Sequence, residues 1–166
     1  MTVQEAIQKR FSVRAYQDKP VEEAQLQQVL EAARLAPSGG NRQEWRFVVV
    51  RDAETRQRLA QAASGQAFVG QAPVVIAACA AEEETEPPAY PLDVAIALEH
   101  LALQATEEGL GTCWIGAFEE DEVRKILGIP GDVRVVALMP LGYPAVEAPA
   151  KRRLDLNQIV MWDKWE

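Results

Sequence analysis

The sequence predicts an α+β fold, a central sheet with helices around it. Three observations lead there. Helical and strand-like segments follow one another without the strict alternation of a βαβ series. An unbroken apolar stretch, residues 73–79, has the length and composition of a buried strand. A longer segment, residues 92–108, is apolar in nearly every helical direction. At 166 residues the chain reads as one domain over 1–166, with no internal repeat and no dividing linker. A domain of this size buries roughly 70% of its unfolded surface. The 48% apolar content supplies such a core without disulfides or metal.

Each element has a local cause. Thr2 and Glu5 match the S/T-x-x-E capping box, which predicts a short helix over 3–9. Residues 12–19 read as a loop. Pro20 suits the first position of a second helix, and Glu22 and Glu23 suit its positive end. Leu26, Val29, Leu30 and Ala33 recur at helical spacing, and Pro37 stops the helix. Residues 37–41 are loop by composition. Strand follows at 47–50, and a modest helix at 53–63 with Leu59 on its apolar face. Residues 82–88, acidic and proline-bearing, predict an exposed loop. Helix 92–108 closes at Gly109. A helix that is apolar all round needs cover on all sides, and in a small chain that cover implies a second subunit. Residues 112–115 predict a short strand. Residues 119–127 predict a clean helix, with acids first, Arg124 and Lys125 late, then Gly128 and Pro130. A strand follows over 133–141. Residues 154–166 contain Trp162 and Trp165 but show no period.

Composition excludes several functions. The net charge of −8 argues against a nucleic-acid surface. Residues 2–14 lack the apolar core of a signal peptide. The longest apolar run, 72–81, is far short of the ~20 residues a membrane span needs. A cytoplasmic protein without membrane contact is expected. Cys79 and Cys113 lie in apolar stretches and read as buried free thiols of a reducing compartment. The single histidine, His100, lies inside the apolar helix and reads as a core or interface residue, not a catalyst. One histidine and two distant cysteines argue against a zinc site. There is no P-loop, and Gly109, Gly111 and Gly116 do not form G-x-G-x-x-G. If the chain is an enzyme, a bound cofactor carries the hard step.

Four segments remain. They are RFSVR at 10–14, APSGGNRQ at 36–43 followed by Trp45, GLGTCWIG at 109–116, and PLGYP at 140–144 followed by Lys151, Arg152 and Arg153. Arg10, Ser12 and Arg14 supply fork donors and a hydroxyl suited to a phosphate or polyhydroxyl chain. Lys151 and Arg153 offer the other side of a phosphate clamp. Gly39 and Gly40 let backbone approach a flat ligand, and Asn41 can donate and accept along a ring edge. Gly116 leaves its N–H free of a side chain. Each segment also has a plain reading: surface ion pairs for Arg10 and Arg14, a simple turn at 38–41, a helix stop at 109–116, core packing for Trp45 and Trp114.

Taken in order, these segments resemble the FMN-binding nitroreductase-like flavoproteins. That family's pattern runs R-x-S-x-R, P-S-x-x-N-x-Q-P-W, G-L-G-x-x-W-I-G, then L-G-Y-P with K-x-R. The match extends from Arg10 to Arg153, with Glu44 standing where the family usually has proline. The chain also lacks the long insertion that covers the substrate pocket in many members. The resemblance implies a dimeric fold around a mostly antiparallel sheet, with FMN at the subunit interface. It implies that Arg10, Ser12, Lys151 and Arg153 hold the phosphate and ribityl chain. Arg14 would approach the pyrimidine edge and favour the anionic reduced flavin. Pro37, Ser38, Gly39 and Asn41 would line the ring from the other subunit, and Ile115 and Gly116 would lie near the reactive nitrogen N5. The implied activity is ping-pong transfer of hydride from NADH or NADPH through N5 to a small electron-poor acceptor, such as a nitro compound or quinone. Specialised flavin chemistry (dehalogenation, ene reduction or dehydrogenation), a non-catalytic FMN-binding module and a flavin-free interaction domain stay open at this point.

Overall fold

The computed structural model describes residues 1–81 and 90–165, so the loop expected at 82–88 lies outside the described residues. In chain order the elements are α1 (Val3–Lys9), α2 (Glu23–Arg34), β1 (Trp45–Val50), α3 (Ala53–Ala62), α4 (Ala67–Gln71), β2 (Val74–Ala81), α5 (Tyr90–Glu107), β3 (Gly111–Thr112), α6 (Glu120–Leu127) and β4 (Val133–Gly142). The strands form one sheet in the order β1-β2-β4-β3. Every pairing between them is antiparallel.

β2 explains the architecture. Side chains alternate across a strand. Val74, Ile76 and Ala78 face a core shared with Leu26 and Val29 of α2 and Leu98 and Leu101 of α5. Val75, Ala77 and Cys79 face a second core with Leu59 of α3, Val69 of α4 and Val123 of α6. A strand covered by helices on both faces must be apolar at every position, so the run at 73–79 has no polar alternation.

Most predicted elements lie within a few residues of their expected places. The Thr2 capping box is complete, with Thr2 Oγ1 accepting the Glu5 N–H and the Glu5 carboxylate accepting the Thr2 N–H. Gly128 takes the left-handed conformation past α6. Two segments differ. α2 begins at Glu23, not at Pro20. The chain just before it is pinned to the end of β4: the Gln17 N–H donates to the Tyr143 carbonyl, and the Lys19 ammonium stacks 3.7 Å over the Tyr143 ring. The short α4 has no counterpart in the sequence reading. Its five residues, AFVGQ, are too few to show a helical period, and it forms by packing against α3.

α5 is covered by its own chain along one side only. Val94, Ala97, Leu98, Leu101, Ala102 and Ala105 are buried, while Leu92 is 71% exposed and Ile96 39%.

α6 is tied to β4 by Glu120. Its carboxylate accepts two hydrogen bonds from the Arg134 guanidinium, at 2.8 and 2.9 Å, and one from the Val135 N–H at 2.9 Å. Arg134 holds this carboxyl below its ordinary value of 4.5, against the opposing effect of burial. A carboxyl depressed in the folded state contributes stability above its unfolded pKa and loses it as pH falls through the folded one. Glu120→Gln is therefore expected to cost about 1 kcal/mol at neutral pH, since the partly exposed Arg134 is screened. The gap from wild type should close as pH drops below 4.5. Thermal unfolding across pH checks this, and a pH-independent gap would contradict it.

Candidate functional site

The site grows from the end of α1. Arg10 caps that helix, its N–H donating to the Ala6 carbonyl at 2.8 Å. The last carbonyls of a helix attract cations. Lys151 answers, its ammonium donating to the carbonyls of Ile7 and Gln8. Arg10, Lys151 and Arg153 then line one cavity of about 360 Å³, together with Ile7, Gln8 and Glu99. Burial, followed by the charges of Arg10 and Arg153, pulls the Lys151 ammonium below its ordinary pKa. These cations are close enough to repel one another. Arg10 from one end of the sequence thus shares a cavity with Lys151 and Arg153 from the other, and Glu99 of α5 contributes a carboxylate to the same walls.

Beyond Arg10 the chain runs alongside β3. Ser12 bridges to Thr112, and the Val13 N–H donates to the Thr112 carbonyl at 2.9 Å. Val13 is fully buried. This close approach requires glycine at 111, where a Cβ would sit 2.3 Å from Val13 Cγ2 and 3.0 Å from Pro144 Cγ. Cys113 lies next to the same segment. Burial pushes its thiol up, and Arg14, Ser12 and Arg10 act against that rise. Cys79, likewise buried, is pushed up to about 11. Neither thiol is an activated nucleophile.

The second part of the site is the turn at 37–41. Pro37 and Asn41 are exposed, and Ser38 and Gly39 are half-buried. Gly39–Asn41 forms one 3-10 turn. Gly40, Asn41 and Gln43 have φ near +56°, the left-handed region that suits glycine and asparagine best. Ser38 supports this shape: its carbonyl accepts the Asn41 N–H and its hydroxyl the Gln43 N–H, both at 3.0 Å. Glu44, in place of the family's proline, pairs with Arg42 at 3.3 Å.

The anchor of this turn is Asp93, which sequence reasoning missed. It is 6% exposed, and both carboxylate oxygens accept the Gly39 N–H at 3.1 Å. The legible signal was an acid in the first turn of a helix, where negative charge is favoured. Glu99 was missed too. Its signal was a charge in the middle of an otherwise apolar helix. Asp93→Ala is expected to leave the Gly39 N–H unpartnered and cost about 1–3 kcal/mol. Thermal unfolding, with hydrogen exchange at the turn, reads the result; unchanged exchange at Gly39 and Gly40 would refute the anchoring role.

Ile115 and Gly116 form a third group. Ile115 is buried and pairs with Leu138 through hydrogen bonds of 2.9 and 3.0 Å. Gly116 is exposed, with nothing within 4 Å of where a Cβ would stand. Among the described residues, no hydrogen bond or ion pair joins the turn at 37–41 to Arg10, Ser12, Arg14, Ile115 or Gly116. α5 connects the parts, holding the turn through Asp93 and Arg10 and Trp114 through Glu99. Trp45 is buried core, as its plain reading had it, and Trp114 is half-buried. A larger groove of about 690 Å³ lies between α1 and α5, lined by Met1, Val3, Leu35, His100 and Leu103 among others, and contains none of the predicted site residues. Among the described residues no helix is long and apolar enough to cross a membrane.

Comparison with known proteins adds independent findings. The family model described as the Nitroreductase family matches residues 7–73 and 63–143. A protein of Thermus thermophilus named NADH dehydrogenase is 36% identical, over 93% of this chain and 92% of its own. An FMN reductase [NAD(P)H] of Bacillus subtilis is 31% identical, over 86% of this chain and 66% of its own. The solved structure of an FMN-dependent nitroreductase from Clostridium difficile superposes with a TM-score of 0.88 at 32% identity, covering 96% of this chain and 98% of that one.

Proposed function

The chain belongs to the nitroreductase family, and from this we infer that it is an FMN oxidoreductase, acting as one unit over residues 1–166, that takes electrons from NADH or NADPH and passes them to an electron-poor acceptor such as a nitro compound or quinone. The observation that carries this reading is the convergence of Arg10, Lys151 and Arg153 on one cavity. Such a donor set fits a phosphate monoester, through charge-assisted hydrogen bonds from guanidinium and ammonium groups. Gly116 fits a flat ring system, because its open backbone presents no side chain to it.

In this reading Arg10, Lys151 and Arg153 hold the phosphate and Ser12 the ribityl chain. Arg14 places positive charge at the pyrimidine edge, where negative charge accumulates on reduction. Ile115 and Gly116 would stand beside the reactive nitrogen of the ring. FMN held by these residues would supply the redox chemistry, a two-electron exchange between NAD(P)H and the acceptor in ping-pong order. The protein contributes position and charge, with no side-chain acid needed.

Pro37, Ser38, Gly39 and Asn41 complete the site from a second copy of the chain. Two unpaired apolar surfaces support a homodimer. One is the Leu92 and Ile96 flank of α5. The other is the segment 145–165, exposed throughout, which carries Leu154, Leu156, Ile159, Trp162 and Trp165.

The absorbance spectrum of the purified protein, before and after NAD(P)H, tests the proposal. The expected result is a flavin spectrum that bleaches on reduction and returns with a nitro compound or quinone, from a species that sediments as a dimer. Protein that is colourless, takes up no FMN and oxidises no NAD(P)H would overturn it.

A further inference from the structure

Glu99 has no place in the clamp if the clamp merely collects positive charge. Its carboxylate stands 3.6 Å from Arg10 Nε, the residue that closes α1, and accepts the Trp114 indole N–H at 3.3 Å. It lines the same cavity as Arg10, Lys151 and Arg153. A phosphate entering there needs the Arg10 guanidinium that Glu99 holds. The four ionised groups sum to 3 − 1 = +2. A phosphate monoester carries about −1.5 to −2 at neutral pH, so this sum matches it. The indole N–H gives the carboxylate a partner to keep when Arg10 turns to the ligand. Mutual repulsion among the cations explains why a built-in anion is useful while the clamp is empty.

We propose that Glu99 is the internal counter-anion of the clamp, occupying Arg10 until a phosphate monoester displaces it and thereby setting the affinity for phosphorylated over unphosphorylated flavin. This rests on the reading of the clamp as an FMN phosphate site. The rival role is simple support, in which Glu99 holds Arg10 in its binding position. The two differ in sign. A counter-anion competes with phosphate, so its removal tightens binding. A support assists phosphate, so its removal loosens binding.

Glu99→Gln keeps the shape and the acceptor for Trp114 but removes the charge. Binding of FMN and of riboflavin to flavin-free protein, followed by quenching of flavin fluorescence at low and moderate salt, separates the roles. The expected result is FMN binding tightened roughly tenfold, the order for removing one nearby like charge from a partly exposed site. Salt dependence becomes steeper, inorganic phosphate competes better, and riboflavin affinity stays within about twofold, since its binding involves no phosphate charge. Weaker or unchanged FMN binding would overturn the proposal. An equal change for riboflavin would also overturn it, by showing a general structural effect. Glu99→Ala gives a second series read by the same criteria if the glutamine variant folds poorly. Wild-type protein that binds no FMN defeats the functional reading itself. Wild-type binding with an unresponsive Glu99→Gln variant defeats only the counter-anion.

Discussion

Arg10→Ala is expected to weaken FMN binding by about 100-fold, since a hydrogen bond to a charged group contributes about 1.5–3 kcal/mol and each 1.4 kcal/mol is tenfold. The loss has two sources. The fork donors on the phosphate disappear, and Glu99 loses the cation 3.6 Å away and becomes an uncompensated charge in the cavity. Riboflavin should be affected much less. Arg10 is the C-cap of α1, a role fulfilled by its backbone N–H, so alanine keeps the cap bond to Ala6. Unfolding temperature should therefore change little, which distinguishes loss of the clamp from loss of the fold. Adding Glu99→Gln to Arg10→Ala should recover part of the lost affinity, because the uncompensated carboxylate is then gone. Fluorescence titration of the single and double variants makes the measurement. An Arg10→Ala protein that binds FMN as wild type would remove Arg10 from the site.

Gly111→Ala is expected to destabilise the fold by closing the gap between β3 and the segment 10–14. The new methyl group would stand 2.3 Å from Val13 Cγ2. Val13 is fully buried and cannot swing away, and Pro144 closes the other side at 3.0 Å. Relief requires moving the segment 10–14 off β3, breaking the hydrogen bond from the Val13 N–H to Thr112. Overpacking of this kind costs about 1–3 kcal/mol, sometimes more. At about 2–4 °C per kcal/mol for a domain of this size, the unfolding temperature should fall by roughly 2–12 °C. FMN affinity should fall with it, because Ser12 and Arg14 flank Val13. Gly116→Ala is the matched control: the added methyl meets nothing within 4 Å, so its unfolding temperature should stay near wild type. Equal melting of Gly111→Ala and wild type would show that the close approach is not needed.

Much of the fold was legible because its causes are local. The α1 cap depends on Thr2 and Glu5, three residues apart. The end of α6 depends on Gly128, whose lack of a side chain permits φ +67°. The two-sided burial of β2 shows directly as an unbroken apolar run. α2 was placed too early because its true start is decided by Tyr143, far along the chain, which pins residues 17–19. α4 was invisible because five residues cannot show a period and only packing on α3 forms it.

The same division runs through the site. The sequence by itself determined which residue types are available: fork-bearing cations in two clusters, a glycine-rich turn, and no histidine pair or P-loop. The largely apolar make-up of α5 also raised the expectation of a covering partner. Only the tertiary structure decided that Lys151 reaches the end of α1 from 143 residues away and so lines one cavity with Arg10 and Arg153. It alone showed Asp93 holding the turn at Gly39, and Glu99 standing in the walls of that cavity beside Arg10. Caps, turns and periodicity are encoded within a few residues, where the sequence displays them. A charge takes its meaning from its neighbours in space, and those neighbours are chosen by the antiparallel order β1-β2-β4-β3 and the helices packed on its two faces.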